Sequence, residues 1–201
     1  MDTINRRALL KILSTAPVAA SFALTEAEAQ QAHEHAQEAK AAAKKTGVPF
    51  KPKFFTAHEY QTVNVLVDLI IPADERSGSA TAAGVPEFMD FTMIDQPARQ
   101  VAMRGGLAWL DAESQRRFDL PFVKAAAAQR TAILDDIATY DEVKPALAHG
   151  RAFFRSFRDL TASGFWTTKM GMSDLGYMGN TVVAQWDGCP PAQLKHLGLT
   201  D

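Results

Sequence analysis

The stretch Thr56–Pro72, TAHEYQTVNVLVDLIIP, decides the fold. Thr56 and Glu59 stand at the spacing of a capping box. There a threonine hydroxyl accepts the third backbone N–H of a helix, and the glutamate carboxylate reaches back to the threonine N–H. Tyr60, Val63, Val67 and Ile70 then recur at helical intervals with Leu66 alongside, so they share one face. Pro72 has no N–H to continue the ladder and stops the helix after Ile71.

The same reading extends towards the C-terminus. Ala73–Gly84 is a polar loop, and Pro86 suits the first turn of a helix over Pro86–Ile94 that carries Phe88, Met89, Phe91 and Ile94. Pro97–Arg117 is expected as a helix weakened at Gly105-Gly106, with Val101, Leu107, Trp109 and Leu110 as its apolar material. Pro121 marks a break. Ala125–Ala138 follows with Ala126, Ile133, Leu134 and Ile137 on one stripe, then Pro145–Thr161 with Leu147, Phe153, Phe154, Phe157 and Leu160. Gly164 is placed as the C-cap of that last helix, and Pro190–Leu197 adds a short terminal one. There is no run of alternating strands and no repeat of 20–50 residues. The expected fold class is all-α: a single small helical bundle with an irregular C-terminal segment. That segment, Gly164–Asn180 (GFWTTKMGMSDLGYMGN), holds four of the chain's 12 glycines, three of its 7 methionines and three aromatics.

Towards the N-terminus the character changes. Gln30–Lys45 is alanine-rich and polar all round, with no evident apolar face, and reads as a tether or frayed helix ended by Lys51-Pro52-Lys53. Before it, Arg6, Arg7 and Lys11 precede an apolar run from Ile12 to Leu24, about 13 residues and short for a bilayer span. Ala27-Glu28-Ala29 has the small-x-small form of a cleavage site, so the first 29 residues read as an export leader. Asn5-Arg6-Arg7-Ala8-Leu9-Leu10-Lys11 resembles the twin-arginine signal, with an ordinary basic region or an uncleaved anchor as alternatives. The expected organisation is therefore a leader at 1–29, a tether at 30–53 and a helical domain at 54–201, exported to the periplasm by the twin-arginine route.

With 201 residues and 47% hydrophobic content, one domain with a substantial core is expected. A net charge of −2 gives no electrostatic reason to expect nucleic acid. The one cysteine, Cys189, forms no internal disulfide and cannot alone hold a zinc-thiolate or iron–sulfur centre; a buried small hydrophobe is its expected role.

Chemistry-bearing motifs fail one after another. No dinucleotide or phosphate-loop fingerprint is present. His58-Glu59 begins like a zincin helix, but Thr62 stands where the second histidine must be. His33 and His35 fall in the expected tether and read as solvated. Gly171-Met172-Ser173-Asp174-Leu175 imitates a nucleophile elbow, but the second glycine and the preceding strand are missing. No catalytic, cofactor-binding or metal-binding residue is assigned. Twin-arginine export nevertheless carries folded proteins, often with a cofactor inserted, which points to a cofactor held by a partner.

Several segments, in order, resemble the small subunit of membrane-bound flavin-dependent sugar dehydrogenases, the gluconate 2-dehydrogenase subunit 3 family. They are Leu69–Asp74, Ala83–Asp90, Gly106–Asp111, Gly164–Thr168 through Gly171-Met172, Leu175–Asn180 and Trp186–Pro190. The resemblance implies a non-catalytic subunit that stabilises a large glucose–methanol–choline-type flavoprotein holding FAD and carries it through export. A cytochrome c subunit is a further implied partner, and membrane association would come only through the complex. On that reading Phe165, Trp166, Met170, Met172, Leu175, Tyr177, Met178, Asn180 and Trp186 are the expected partner-binding residues, with closure of the chain's own core as the alternative role. Two other functions stay open at this stage. One is a self-sufficient periplasmic metal-assisted hydrolase or lyase using His58, His149 and His196 with Asp74 or Glu75. The other is a binding module for a small sugar.

Overall fold

The capping box at Thr56 is present: its hydroxyl accepts from Glu59 N, and Glu59 Oε2 accepts from Thr56 N at 2.8 Å. The computed structural model describes residues 25–139, 144–177, 179, 185 and 188–199. Its helices in chain order are α1 (Glu26–Thr46), α2 (Ala57–Ile70), α3 (Ala80–Ala83), α4 (Val85–Asp95), α5 (Gln100–Phe118), α6 (Ala127–Ala138), α7 (Ala148–Trp166), α8 (Lys169–Leu175) and α9 (Pro191–His196). Single 3-10 turns at Pro97–Arg99, Phe122–Lys124 and Pro145–Leu147 link them. Among the described residues there is no strand, so the all-α fold is as the sequence predicts.

Helix α7 is the centre of the bundle. It packs on α4, α5, α6 and α8, and buries Phe153, Phe154, Phe157, Leu160 and Phe165. Phe88, Met89 and Met93 of α4, Leu66 of α2, Met103 and Leu110 of α5, and Ile133 and Ile137 of α6 complete a core that excludes water. The α5–α7 contact explains why α5 runs unbroken through Gly105-Gly106. A Cβ on Gly106 would lie 1.8 Å from Phe153 Cδ2, and one on Gly150 would lie 2.2 Å from the Trp109 ring. Each helix thus offers a bare backbone to the other's aromatic ring, a closer approach than any side chain permits.

Three expectations are corrected here. Gly164 is not a cap, because α7 continues to Trp166; the glycine is buried and makes room for Phe88, whose Cδ1 would stand 2.8 Å from an added Cβ. Ala126 does not join the buried stripe of α6: it is exposed at the N-cap, where Gln129 Oε1 accepts from its N–H. The polar loop after Pro72 contains α3, whose Ala80 is fully buried.

The largest difference concerns the expected tether. Residues 26–46 form one helix, capped at Thr25 and ended by Gly47 in the left-handed region. It lies along α4 with Ala29, Ala32, His33 and Ala36 buried. His35 stacks on Phe91 with centroids 4.3 Å apart, and Lys40 Nζ donates to the carbonyls of Thr81 and Ala82 at 2.9 and 2.7 Å. Alanine carries too little apolar area to show as a hydrophobic stripe, yet its small size lets two helices pack closely. The segment that follows is fastened by Asp90. This carboxylate is 2% exposed and accepts the backbone N–H groups of Lys53, Phe54 and Phe55 at 2.9 to 3.1 Å.

Candidate functional site

The segment after α7 is ordered by its own polar side chains. Thr168 is 3% exposed; its hydroxyl donates to Phe165 O at 2.8 Å and accepts from Gly171 N at 2.9 Å, capping α8. Gly171 packs so tightly under the end of α7 that a Cβ would lie 2.2 Å from Phe165 O. Gly176, at φ 65°, ends α8. The far side of α8 is tied to the loop after α2, where the Arg76 guanidinium donates to Asp174 O and its Nε lies 3.5 Å from the Asp174 carboxylate. Asp74 orders that loop by accepting from Arg76 N and Ser77 N at 2.8 Å each, and these bonds hold its carboxyl below the usual carboxylate range.

Together α1 and the α7–α8 corner bound a groove of about 580 Å³. One wall is Gln30, His33, Glu34 and Gln37 of α1. The other is Trp166, Thr167, Lys169, Met172, Leu175 and Tyr177. The second wall is chiefly apolar, with Leu175 60% and Tyr177 55% exposed. Large side chains standing this far into solvent beside a concave surface are the usual mark of a contact site. His33 is buried in the opposite wall. Its Nε2 lies 2.6 Å from the Gln37 amide nitrogen, its Nδ1 is buried without a partner, and burial pushes its pKa down. It is not the solvated histidine that the sequence suggests. His35 is exposed, as the sequence suggests, although one face of its ring stacks on Phe91.

The expected partner-binding residues separate into three groups. Trp166, Met172, Leu175 and Tyr177 line the groove. Phe165 and Met170 do not. Phe165 is fully buried, its ring edge-on to Trp166 at 4.8 Å, and Met170 packs on the core and against Gly78. Phe165 is corrected to a core residue, because helical geometry sends consecutive side chains about 100° apart. Met178, Asn180 and Trp186 lie outside the described residues, as do Arg6 and Arg7 of the expected leader. Ala27 and Ala29 fall within the first turns of α1, with Ala27 exposed and Ala29 buried. The sequence reading missed α1 as the facing wall, and missed Thr168 as the pin that sets α8.

The residues weighed for other chemistry do not converge. His58 Nε2 pairs with Asp111 at 2.5 Å, across α2 and α5. Asp74 serves its turn, His149 is exposed on α7, and His196 is on α9 beside Arg76 and Asp174. Among the described residues no group of three His, Cys, Asp or Glu side chains is placed to hold a metal ion. Ser173 lies on α8, not on a strand-to-helix turn. Cys189 is exposed, contrary to its expected burial. No helix of the described residues is long and apolar enough to cross a membrane.

A comparison with known families finds the description gluconate 2-dehydrogenase subunit 3 matching residues 57–188, well over half of the chain. The chain belongs to this family. The matched region of the gluconate 2-dehydrogenase subunit 3 chain runs from the first turn of α2 to the residue before Cys189 and includes the apolar wall of the groove, while α1 lies before it. Comparisons with curated proteins and with solved structures found no match.

Proposed function

We propose that this chain is the non-catalytic small subunit of a periplasmic, FAD-dependent dehydrogenase acting on a sugar, polyol or sugar acid. It stabilises a large glucose–methanol–choline-type flavoprotein and carries it through twin-arginine export on its own leader. The observation that carries this reading is membership of the gluconate 2-dehydrogenase subunit 3 family across residues 57–188. The groove between α1 and the α7–α8 corner supplies a surface for the partner. Trp166, Met172 and Tyr177 give bulky and adaptable contact area of the kind found at interface centres. The flavin, and any cytochrome c that takes its electrons, belong to other subunits.

Gentle purification of the chain from its own host tests the reading. A yellow, flavin-bearing larger subunit should accompany it; a colourless lone protein counts against it. Changing Arg6 and Arg7 to lysine should strand the partner's dehydrogenase activity in the cytoplasm, and undiminished periplasmic activity would remove the escort role.

A further inference from the structure

We infer that His33 makes the groove acid-sensitive: a second proton on its imidazole drives α1 off the body of the subunit and takes away the groove's polar wall. The opening stands by itself; its consequence for docking rests on the function proposed above.

The imidazole is held where only its neutral form fits. His33 is 7% exposed, on the buried side of α1 with Ala29, Ala32 and Ala36. The nitrogen of the Gln37 amide is a donor only, and it stands 2.6 Å from Nε2. Nε2 therefore accepts, and the ring's single proton is on Nδ1, which is buried without a partner. A second proton would set donor against donor at Nε2 or turn the amide over. Either way a charge would be buried.

No neighbour is placed to take that charge up. On α1 itself, Glu34 is the one carboxylate whose charge acts on the ring; burial outweighs it and holds the pKa down. The helix packs on α4 and α7. Of the α4 carboxylates, Asp90 accepts the backbone N–H groups of residues 53–55, Glu87 bonds Tyr60, and Asp95 is exposed. The α7 carboxylate, Asp159, pairs with Arg158. Across the groove Lys169 would repel a second cation, and Asp174 of α8 is tied to Arg76.

Helix α1 can leave without unfolding the rest. Its buried side chains are small apart from His33, Gly47 ends it in the left-handed region, and residues 47–49 after it are exposed. Segments that bury little apolar area open locally while the remainder stays folded. Once free, His33 takes a proton near pH 6.5. Below that pH each unit favours the open state about tenfold, until the lower pKa of the seated ring is reached. A partner that touches both walls holds α1 down, so partner and proton oppose each other.

The test is cleavage of the full-length chain after Glu34 by a glutamyl endopeptidase, at pH 7.5 and 5.5, each rate divided by that of a free peptide of residues 25–47. Such cleavage tracks the population of the open form. The normalised rate should rise about tenfold in acid, while cleavage after Glu113, buried on α5, does not change. His33→Gln should give the same normalised rate at both pH values, whatever its absolute level. His35→Gln, at the exposed neighbour, should keep the wild-type ratio. A wild-type ratio near one overturns the inference, as does a ratio that His33→Gln keeps and His35→Gln abolishes. With the flavoprotein bound, cleavage should be slow at both pH values; acid-accelerated cleavage in the intact complex overturns the opposition of partner and proton. If no flavoprotein accompanies the chain, the docking reading fails, and the ratio in the lone subunit still decides the role of His33.

Discussion

At the scale of single residues, Gly105 and Gly106 are neighbours with opposite environments. A Cβ on Gly106 meets the Phe153 ring, and one on Gly105 meets nothing within 4 Å. Gly106→Ala should therefore destabilise the subunit by about 3 kcal/mol, the upper end for overpacking a core. Gly105→Ala should raise stability by about 0.5–1 kcal/mol, because alanine loses less backbone freedom on folding. Urea unfolding of the two variants side by side checks both signs. His33 gives a pH dependence. Burial lowers its pKa, with Glu34 opposing weakly. The folded state thus resists a proton that the unfolded chain accepts near pH 6.5. Its contribution to stability is complete above that pH and is lost as the pH falls through the lower folded value. Urea midpoints at pH 7.5 and 5.5 should show a larger acid loss in the wild type than in His33→Gln, and equal losses would remove this role.

At the scale of elements, the helices with strong sequence signals came out as read. Thr56–Glu59 announces α2 through side-chain chemistry that is local, and Ile133, Leu134 and Ile137 announce α6 through bulk and period. What could not be read depended on distant neighbours. Gly164 looks like a helix stop because glycine usually is one, and only the Phe88 ring, far away in sequence, shows why it stands inside α7. Helix α1 was hidden for a related reason: its buried stripe is alanine, and its anchors (Phe91, Thr81 and Ala82) lie on α4 and α3. Of the groove, only the apolar wall was legible, since large apolar side chains mark themselves and the polar helix facing them does not. If α1 is part of the fold, Ala36→Glu should cost about 2–3 kcal/mol, because it buries a carboxylate against α4. Ala41→Glu, on the exposed face, should stay within about 0.5 kcal/mol of the wild type. Limited proteolysis should release residues 26–46 early in the first variant alone.

At the scale of the whole molecule, binding and stability should separate. Leu175 is 60% exposed on the groove's apolar wall. Leu175→Glu should leave the melting midpoint of the isolated subunit nearly unchanged. On the proposed function, it should weaken the complex with the flavoprotein at least tenfold, about 1.4 kcal/mol. Trp166→Ala should weaken it further, at some expense of stability because that side chain is partly buried against the core. If both variants melt early and bind normally, the wall is core closure and the partner docks elsewhere. The groove also has a consequence for timing. Its two walls come from residues 30–37 and 166–177, far apart in sequence. No nascent subunit possesses the surface until the ribosome has passed Tyr177. On the proposed function, a partner that recognises this groove can therefore join only a chain synthesised past Tyr177, and one cut short of it would lack the docking wall.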